Sequence, residues 1–494
     1  MASVPESLII EYTEYVRPFL DILVKRAFPE LTKSNYFIFN GGIINCFGDY
    51  YLLTARVIVP TCNEFMNHAE IPTMWGAVNG VRKCYGWHNI LDQGMVLLLQ
   101  IKSFKEPPVV INSRLMTTMH SNEDPRLYRK ANGGIYMCTT TSYRPCNLLP
   151  DKRACSYMTE YELTLSDRTT FNDNVFDIIF SENKTVVCRN IVESIDRNDI
   201  FVKNLSHWTL DGIDYYTDYS TAYAPYTIYA QNGETCNTVK VSNEETCFKT
   251  ISKCFQLTYN VMKPDATFVK LNLLNFNGTT PSIRVPQSMI DAYFPNVNFP
   301  LFCGVAHIRM QTHPIVANGL FNATQEILIR GGTNTLYSDV ANFLAQSHER
   351  KINDELYELP FPETYLMMLY FFRGTPDENG NIGRILYTSD IFYPMAVSPQ
   401  GTVVTKYNLV FPVGLMFAGR EIAISYGEGD IKLFVMLSNL ETLGLNPTNC
   451  GNITMRLKNI PIQSINRPSN FITTQKVSSL LENMYALPPG FESS

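Results

Sequence analysis

Apolar positions change period along this chain. From Glu6 to Phe28, the residues Leu8, Ile9, Tyr12, Val16, Phe19, Leu20 and Leu23 recur at helical spacing, which predicts an amphipathic helix within residues 1–30, packed on the body. A second helix is expected from Thr474 to Tyr485, inside a C-terminal stretch 473–494 and ended by Pro488-Pro489-Gly490. Between them lie short runs rich in β-branched and aromatic residues, each bounded by turn residues. They are Tyr36 to Phe39, Tyr50 to Val59, Met95 to Lys102, Ile135 to Thr141, Tyr161 to Leu165, Thr185 to Cys188, Phe255 to Val261, Thr267 to Phe276, Glu326 to Ile329, Tyr365 to Phe372, Ile385 to Ile391, Ile422 to Tyr426 and Ile431 to Leu437. Several begin after an N-G, G-D or G-E-G-D turn, as tight antiparallel hairpins require.

The middle, residues 31–472, therefore reads as all-β. About 430 residues of hairpins exceed one sandwich and suit a propeller of four-stranded blades; at roughly 80 to 90 residues per blade there would be five. The expected fold is a five-bladed β-propeller with N- and C-terminal flanking helices. Residues 210–300, with Tyr215, Tyr216, Tyr219, Tyr223, Tyr226 and Tyr229 close together, read as an elaborated, tyrosine-rich insertion. Such tyrosines suit either a sugar-stacking or protein-contact surface, or ordinary strand packing.

Composition narrows the partners. The chain has 494 residues, 45% hydrophobic, 12% aromatic and 17% charged, enough to bury a large core without disulfides. Its net charge of -6, with no concentrated basic surface in the sequence, argues against general nucleic-acid or anionic-membrane binding and for glycan, small-molecule or protein partners. Residues 1–30 lack the pattern of a secretory signal and no apolar run suffices for a bilayer-spanning helix, so a cytoplasmic setting is expected. The 12 cysteines show no C-x-x-C and no paired Cys/His spacing, which points away from zinc and toward reduced, mostly buried thiols. Sequons at Asn183, Asn204, Asn277, Asn322 and Asn452 would then be chance products of an Asn-rich chain.

Two acidic signatures carry candidate chemistry: Glu123-Asp124-Pro125-Arg126, and Tyr426-Gly427-Glu428-Gly429-Asp430. Each sets a carboxylate in a turn beside a strand-like run. Cleaving or making a glycosidic bond needs an acid to protonate the bridging oxygen, and polar groups to hold the sugar. No Walker-type loop, G-x-G-x-x-G, G-x-S-x-G or H-E-x-x-H competes for the assignment.

Five patterns occur in an order that resembles the five-bladed β-propeller superfamily of mannoside phosphorylases, related mannosidases and mannosyltransferases. They are Phe39-Asn40-Gly41-Gly42-Ile43 with the strand ending Thr54-Ala55-Arg56; Glu123-Asp124-Pro125-Arg126-Leu127-Tyr128; Lys203-Asn204 ahead of Trp208; His348 after Phe343-Leu344-Ala345-Gln346-Ser347; and Ser425-Tyr426-Gly427-Glu428-Gly429-Asp430. The style of the sequence also resembles divergent copies of this propeller in large DNA viruses, which suggests a viral protein.

The resemblance implies roles position by position. Asp124 would be the general acid, acting directly or through a sugar hydroxyl. Arg56 and Arg126 would hold the acidic turn and line the pocket floor, Tyr426 would shape its wall and Asp430 would hydrogen-bond sugar hydroxyls. Lys203 and His348 would bind phosphate or a phosphorylated donor. No cofactor is implied beyond inorganic phosphate or a sugar-phosphate donor as substrate. Inverting phosphorolysis, hydrolysis and glycosyl transfer all remain open, and only hydrolysis would need a second carboxylate to activate water. The rival reading is a non-catalytic propeller, a glycan-binding or virion structural protein, in which Asp124 caps a turn and Arg126 pairs beneath a blade. Virion or homo-oligomer contacts belong to either reading.

Overall fold

Alternating and continuous runs of Val, Ile, Leu, Tyr and Phe give this chain strands that are buried on one or both faces, and short turns fold them back on one another. In the computed structural model, the described residues are 7–13, 16–18, 37–60, 75–78, 81–84, 90–106, 108–116, 123–143, 154–170, 173–181, 185–194, 199–218, 227–232, 235–239, 258–262, 268–272, 274–278, 280–311, 363–397, 410–429, 432–447 and 457–464.

Five antiparallel units of strands follow in order and form a five-bladed β-propeller. Blade 1 pairs Phe37–Phe39 and Ile43–Phe47 with Tyr50–Pro60, then Ile90–Gln100 and Val109–Met116. Blade 2 runs Glu123–Arg129, Ile135–Tyr143, Ala154–Thr170 and Asp173–Phe180. Blade 3 is Leu205–Leu210, Ile213–Asp218, Thr227–Asn232 and Thr235–Val239. Blade 4 contains Leu274–Gly278, Leu301–Gln311, Glu363–Arg373 and Ile385–Thr388. Blade 5 is Val410–Ala418, Glu421–Glu428 and Lys432–Ser438, completed by the N-terminal strand Leu8–Glu11.

That completion corrects the start of the expected N-terminal helix, residues 8–11. Leu8, Ile9, Ile10 and Glu11 pair antiparallel with Leu437, Met436, Val435 and Phe434. Among the described residues, helical backbone follows at Thr13 and at 16–18, with a bond from the Val16 N–H to the Tyr12 carbonyl of 3.0 Å, and 19–28 lie outside the described residues. The strand wins because its side chains face two cores at once: Ile9 enters the one shared by blades 3, 4 and 5, and Ile10 enters the one between blades 1 and 5. The strand Leu457–Ser464 lies parallel to both Leu8–Glu11 and Ile391–Val397, so it bridges blades 4 and 5 within one sheet. The expected helix from Thr474 to Tyr485 and the strand expected from Glu326 to Ile329 lie outside the described residues.

At the start of the tyrosine-rich stretch, the four strands between 205 and 239 form blade 3. Tyr215 is buried and stacks on Trp208 with ring centroids 4.2 Å apart, and Tyr216 is buried with its hydroxyl on Glu160. These two rings are packing residues; Tyr219, Tyr223 and Tyr226 lie outside the described residues. Among the described residues no helix is long and apolar enough to cross a membrane. Strands Ile43–Phe47, Glu123–Arg129 and Val410–Ala418 pack against one another, and Leu205–Leu210 joins them beside Glu123–Arg129. Strands of blades 1, 2, 3 and 5 thus meet, and the acidic signature lies on one of them.

Candidate active site where blades 1, 2 and 5 meet

Two glycines allow the first two motifs to interlock. A Cβ on Gly41 would sit 1.8 Å from the Thr54 carbonyl oxygen, and one on Gly42 2.9 Å from the Leu127 nitrogen, so only glycine admits this approach. The Gly42 N–H then lies 2.8 Å from the Thr54 hydroxyl, which itself donates to the Pro125 carbonyl at 2.6 Å. Glu123-Asp124-Pro125-Arg126 is therefore the beginning of strand Glu123–Arg129, clamped to blade 1, and not a free turn. Asp124 takes φ +51 and Asn40 φ +45, a left-handed backbone that Asp and Asn adopt more readily than other side chains.

This backbone aims the Asp124 carboxyl at blade 1. Asn40 Nδ2 donates to Asp124 Oδ1 at 2.8 Å, and Arg56 Nη1 reaches the same oxygen at 3.4 Å and Glu123 Oε1 at 3.3 Å. Asp124 and Arg56 are both buried, at 7% and 3% exposure. Among the described residues, Asp124 Oδ2 has no hydrogen-bond partner. One oxygen is held and the other is offered. The Arg56 guanidinium is shared between the two carboxyl groups of the motif.

Arg126 is wholly buried. Its Nη1 donates to the Asp124 carbonyl at 3.1 Å, its Nη2 to Asn204 Oδ1 at 2.8 Å, and its guanidinium lies 6.0 Å from the Phe411 ring centre. It ties blade 2 to the entry of blade 3 and to blade 5. Tyr426 is fully buried and lies parallel to Phe434, with centroids 5.5 Å apart. Its neighbour Gly427 presses on the site: a Cβ there would fall 1.8 Å from Asn40 Oδ1. Lys203 is exposed one residue before Asn204. Asp430 and His348 lie outside the described residues.

Sequence reasoning passed over Asn40 as a site residue, although the Asn-Gly-Gly run signals close backbone approach. It also passed over a buried polar network between blades 2 and 3. Glu160 Oε1 accepts from the hydroxyls of Tyr128 and Tyr216, the latter at 2.6 Å, and Oε2 pairs with Lys130 Nζ at 2.9 Å. Burial, with Glu160 adding to it, pushes both phenols well above their ordinary range. Burial opposes the charge on Lys130, but pairing with Glu160 outweighs it and raises the ammonium's pKa. His207 stacks on Tyr128 at 4.0 Å and donates from Nε2 to Asp214 Oδ1 at 2.9 Å; burial dominates and lowers its pKa. No local spacing marks these residues, which come together only through the pairing of blades.

A separate cleft of about 600 Å³ lies at the rim of blade 4, lined by Arg284, Pro286, Gln287, Ile290 and Phe299, and shares no residue with the Asp124 cluster. Among the described residues no group of three or more His, Cys, Asp or Glu is arranged to hold a metal ion.

No protein-family model matches the sequence, and no curated protein matches it. Among solved structures, the chain is similar to a β-1,2-mannobiose phosphorylase from Listeria innocua in complex with β-1,2-mannobiose, at 10% identity and a TM-score of 0.36, over 83% of this chain and 93% of that one. It is similar to a mannose phosphorylase from Leishmania mexicana in complex with phosphate ion, at 9% identity and a TM-score of 0.34, over 89% and 98% of the two chains. A GDP-Man-dependent mannosyltransferase from Leishmania mexicana is similar at 9% identity and a TM-score of 0.33, over 88% and 99%. These are proteins of the class that the sequence motifs resemble. The propeller itself is read from the strand pairing above.

Proposed function

We propose that this chain acts on a glycosidic bond, that of a mannoside, by inverting chemistry with Asp124 as the general acid. The observation that carries this reading is the Asp124 carboxyl: Oδ1 is held by Asn40 and Arg56, while Oδ2 is left for a substrate. A fixed carboxyl with one free oxygen is what protonation of a bridging oxygen requires. The motif resemblance selects the sugar class.

In this reading Asp124 gives its proton to the bridging oxygen, directly or through a sugar hydroxyl. The bond between that oxygen and the anomeric carbon breaks as an incoming oxygen bonds to the carbon from the opposite face. With phosphate as nucleophile the product is a mannose 1-phosphate of inverted configuration, and Asp124 regains its proton from solvent. Arg56 and Arg126 keep the carboxyl in place, and Asn40 joins them as a positioning residue. Lys203 and His348 are the proposed phosphate contacts, and Asp430 and Tyr426 the proposed sugar-side residues.

The test is a screen of purified protein against manno-oligosaccharides with and without phosphate, and against mannose 1-phosphate and GDP-mannose in the synthetic direction. Phosphate-dependent release of mannose 1-phosphate, release of free mannose without phosphate, or transfer from a donor would each assign the direction. Asp124→Asn should abolish turnover and leave sugar binding largely intact. Full turnover by that variant would remove Asp124 from the mechanism. Absence of turnover and of sugar binding under every condition would sink the reading.

A further inference from the structure

The connection between blades 2 and 3 brings two distant cysteines together. Cys188 ends the turn after Thr185–Val186, just before the short helix Arg189–Ser194, and takes φ +53. Cys236 lies on Thr235–Val239, the last strand of blade 3. Their Sγ atoms are 2.7 Å apart, inside the separation of two non-bonded sulfurs and short of the about 2.05 Å of a covalent bond. Both thiols are buried, at 2% and 4% exposure, in a cluster with Met158, Leu205 and Tyr216. Asn190, on the helix, donates from Nδ2 to the Cys236 carbonyl at 2.8 Å, so the helix that follows one cysteine is already fastened to the strand bearing the other.

We propose that Cys188 and Cys236 are a disulfide site, closing a covalent cross-link between the blade 2–3 connection and the outer strand of blade 3 when the protein meets a peroxide. Nothing in the glycosidic chemistry uses these residues, so the inference stands apart from the function proposed above.

The step balances with hydrogen peroxide as oxidant. The Cys236 sulfur, as thiolate, attacks the peroxide, a sulfur–oxygen bond forms and the O–O bond breaks; the departing hydroxide takes a proton and leaves as water. The Cys188 sulfur then attacks Cys236, the sulfur–sulfur bond forms, and the hydroxyl leaves as a second water with the Cys188 proton. The sulfur pair loses two electrons and peroxide gains them. Cys236 is assigned as the first nucleophile because the contact between the two sulfurs lowers its pKa against burial, while the same contact and burial raise that of Cys188. The sulfurs already point at one another, so closure asks little of the backbone.

The experiment treats the folded, full-length protein with hydrogen peroxide, quenches with excess alkylating reagent under denaturing conditions, and maps the non-reduced peptides by mass spectrometry. The expected result is a Cys188–Cys236 peptide pair lighter by about 2 Da than the two thiols, restored by a thiol reductant, with a thermal midpoint several degrees higher in the oxidised form. Cys188→Ser and Cys236→Ser should each lose that pair and the shift. If either variant fails to fold, the peptide map of the wild-type chain alone decides. Recovery of Cys188 and Cys236 as alkylated thiols after exposure, or linked to other cysteines, would overturn the proposal.

Discussion

Gly427→Ala tests whether blade 5 sets the geometry of the Asp124 site. The new Cβ would lie 1.8 Å from Asn40 Oδ1 and 2.8 Å from the Asn40 backbone nitrogen, in a region with no exposed surface to relax into. Overpacking of this kind costs about 1–3 kcal/mol. The Asn40 side chain must also move, which breaks its 2.8 Å bond to Asp124; a hydrogen bond to a charged group contributes about 1.5–3 kcal/mol. The single substitution should therefore destabilise by about 2.5–6 kcal/mol. Asn40→Ala loses the same bond and leaves alanine at φ +45, for about 2.5–5 kcal/mol. In the double variant the bond is lost once and the side-chain clash is gone. The two costs should then fall short of additive by about 2 kcal/mol. Urea unfolding of the four proteins, fitted with a common slope, measures this coupling. Additivity within about 0.5 kcal/mol would show that Gly427 and Asn40 do not share the contact and would refute the reasoning.

Three further outcomes are expected. His207, kept neutral by burial, has a lowered folded pKa, so its contribution is present above an unfolded pKa of about 6.5 and is lost as pH falls below it toward the folded value. Urea midpoints at pH 7.5 and 5 should fall more for the wild type than for His207→Gln, and equal slopes would contradict this. Tyr216→Phe removes one of the donors to buried Glu160 and should cost about 1–3 kcal/mol by urea unfolding, with a cost near zero as the contrary result. Ile10→Ala empties a core position between blades 1 and 5 and should cost about 2–5 kcal/mol, whereas a helix merely packed on the surface would tolerate it.

Most of the blades were legible because their strands carry their own signal. The runs from Tyr50, Ile135, Tyr365 and Ile422 all fall within strands, since β-branched and aromatic residues between turns specify pleated, half-buried surface wherever they occur. Leu8–Glu11 was misread because the apolar spacing of Leu8, Ile9, Tyr12 and Val16 also fits a helix, and the partner that decides the matter, Phe434 to Leu437, is remote in sequence. At blade 3 the tyrosines fitted a contact surface and ordinary strand packing equally, and pairing decides for packing by turning Tyr215 toward Trp208 and Tyr216 toward Glu160. Within the site, Arg56, Asp124 and Arg126 were legible through motifs, and the structure brings all three together. Asn40 escaped because its role depends on which oxygen it meets across a blade boundary, and that is a property of geometry rather than of residue type.

The closing strand carries a cost in time. Leu8 and its partner Leu437 are separated by 429 residues of chain (437 − 8), all of which must be made between them. At about 5–20 residues per second, this strand waits on the order of 20 to 90 seconds for the edge it completes. Throughout that interval Leu8, Ile9 and Ile10 are an unpaired apolar segment of the kind that chaperones hold and that neighbouring nascent chains can capture. Biosynthesis at lower temperature, or with chaperones in excess, should therefore raise the yield of this protein more than it does for a propeller whose last blade closes on its own sequence.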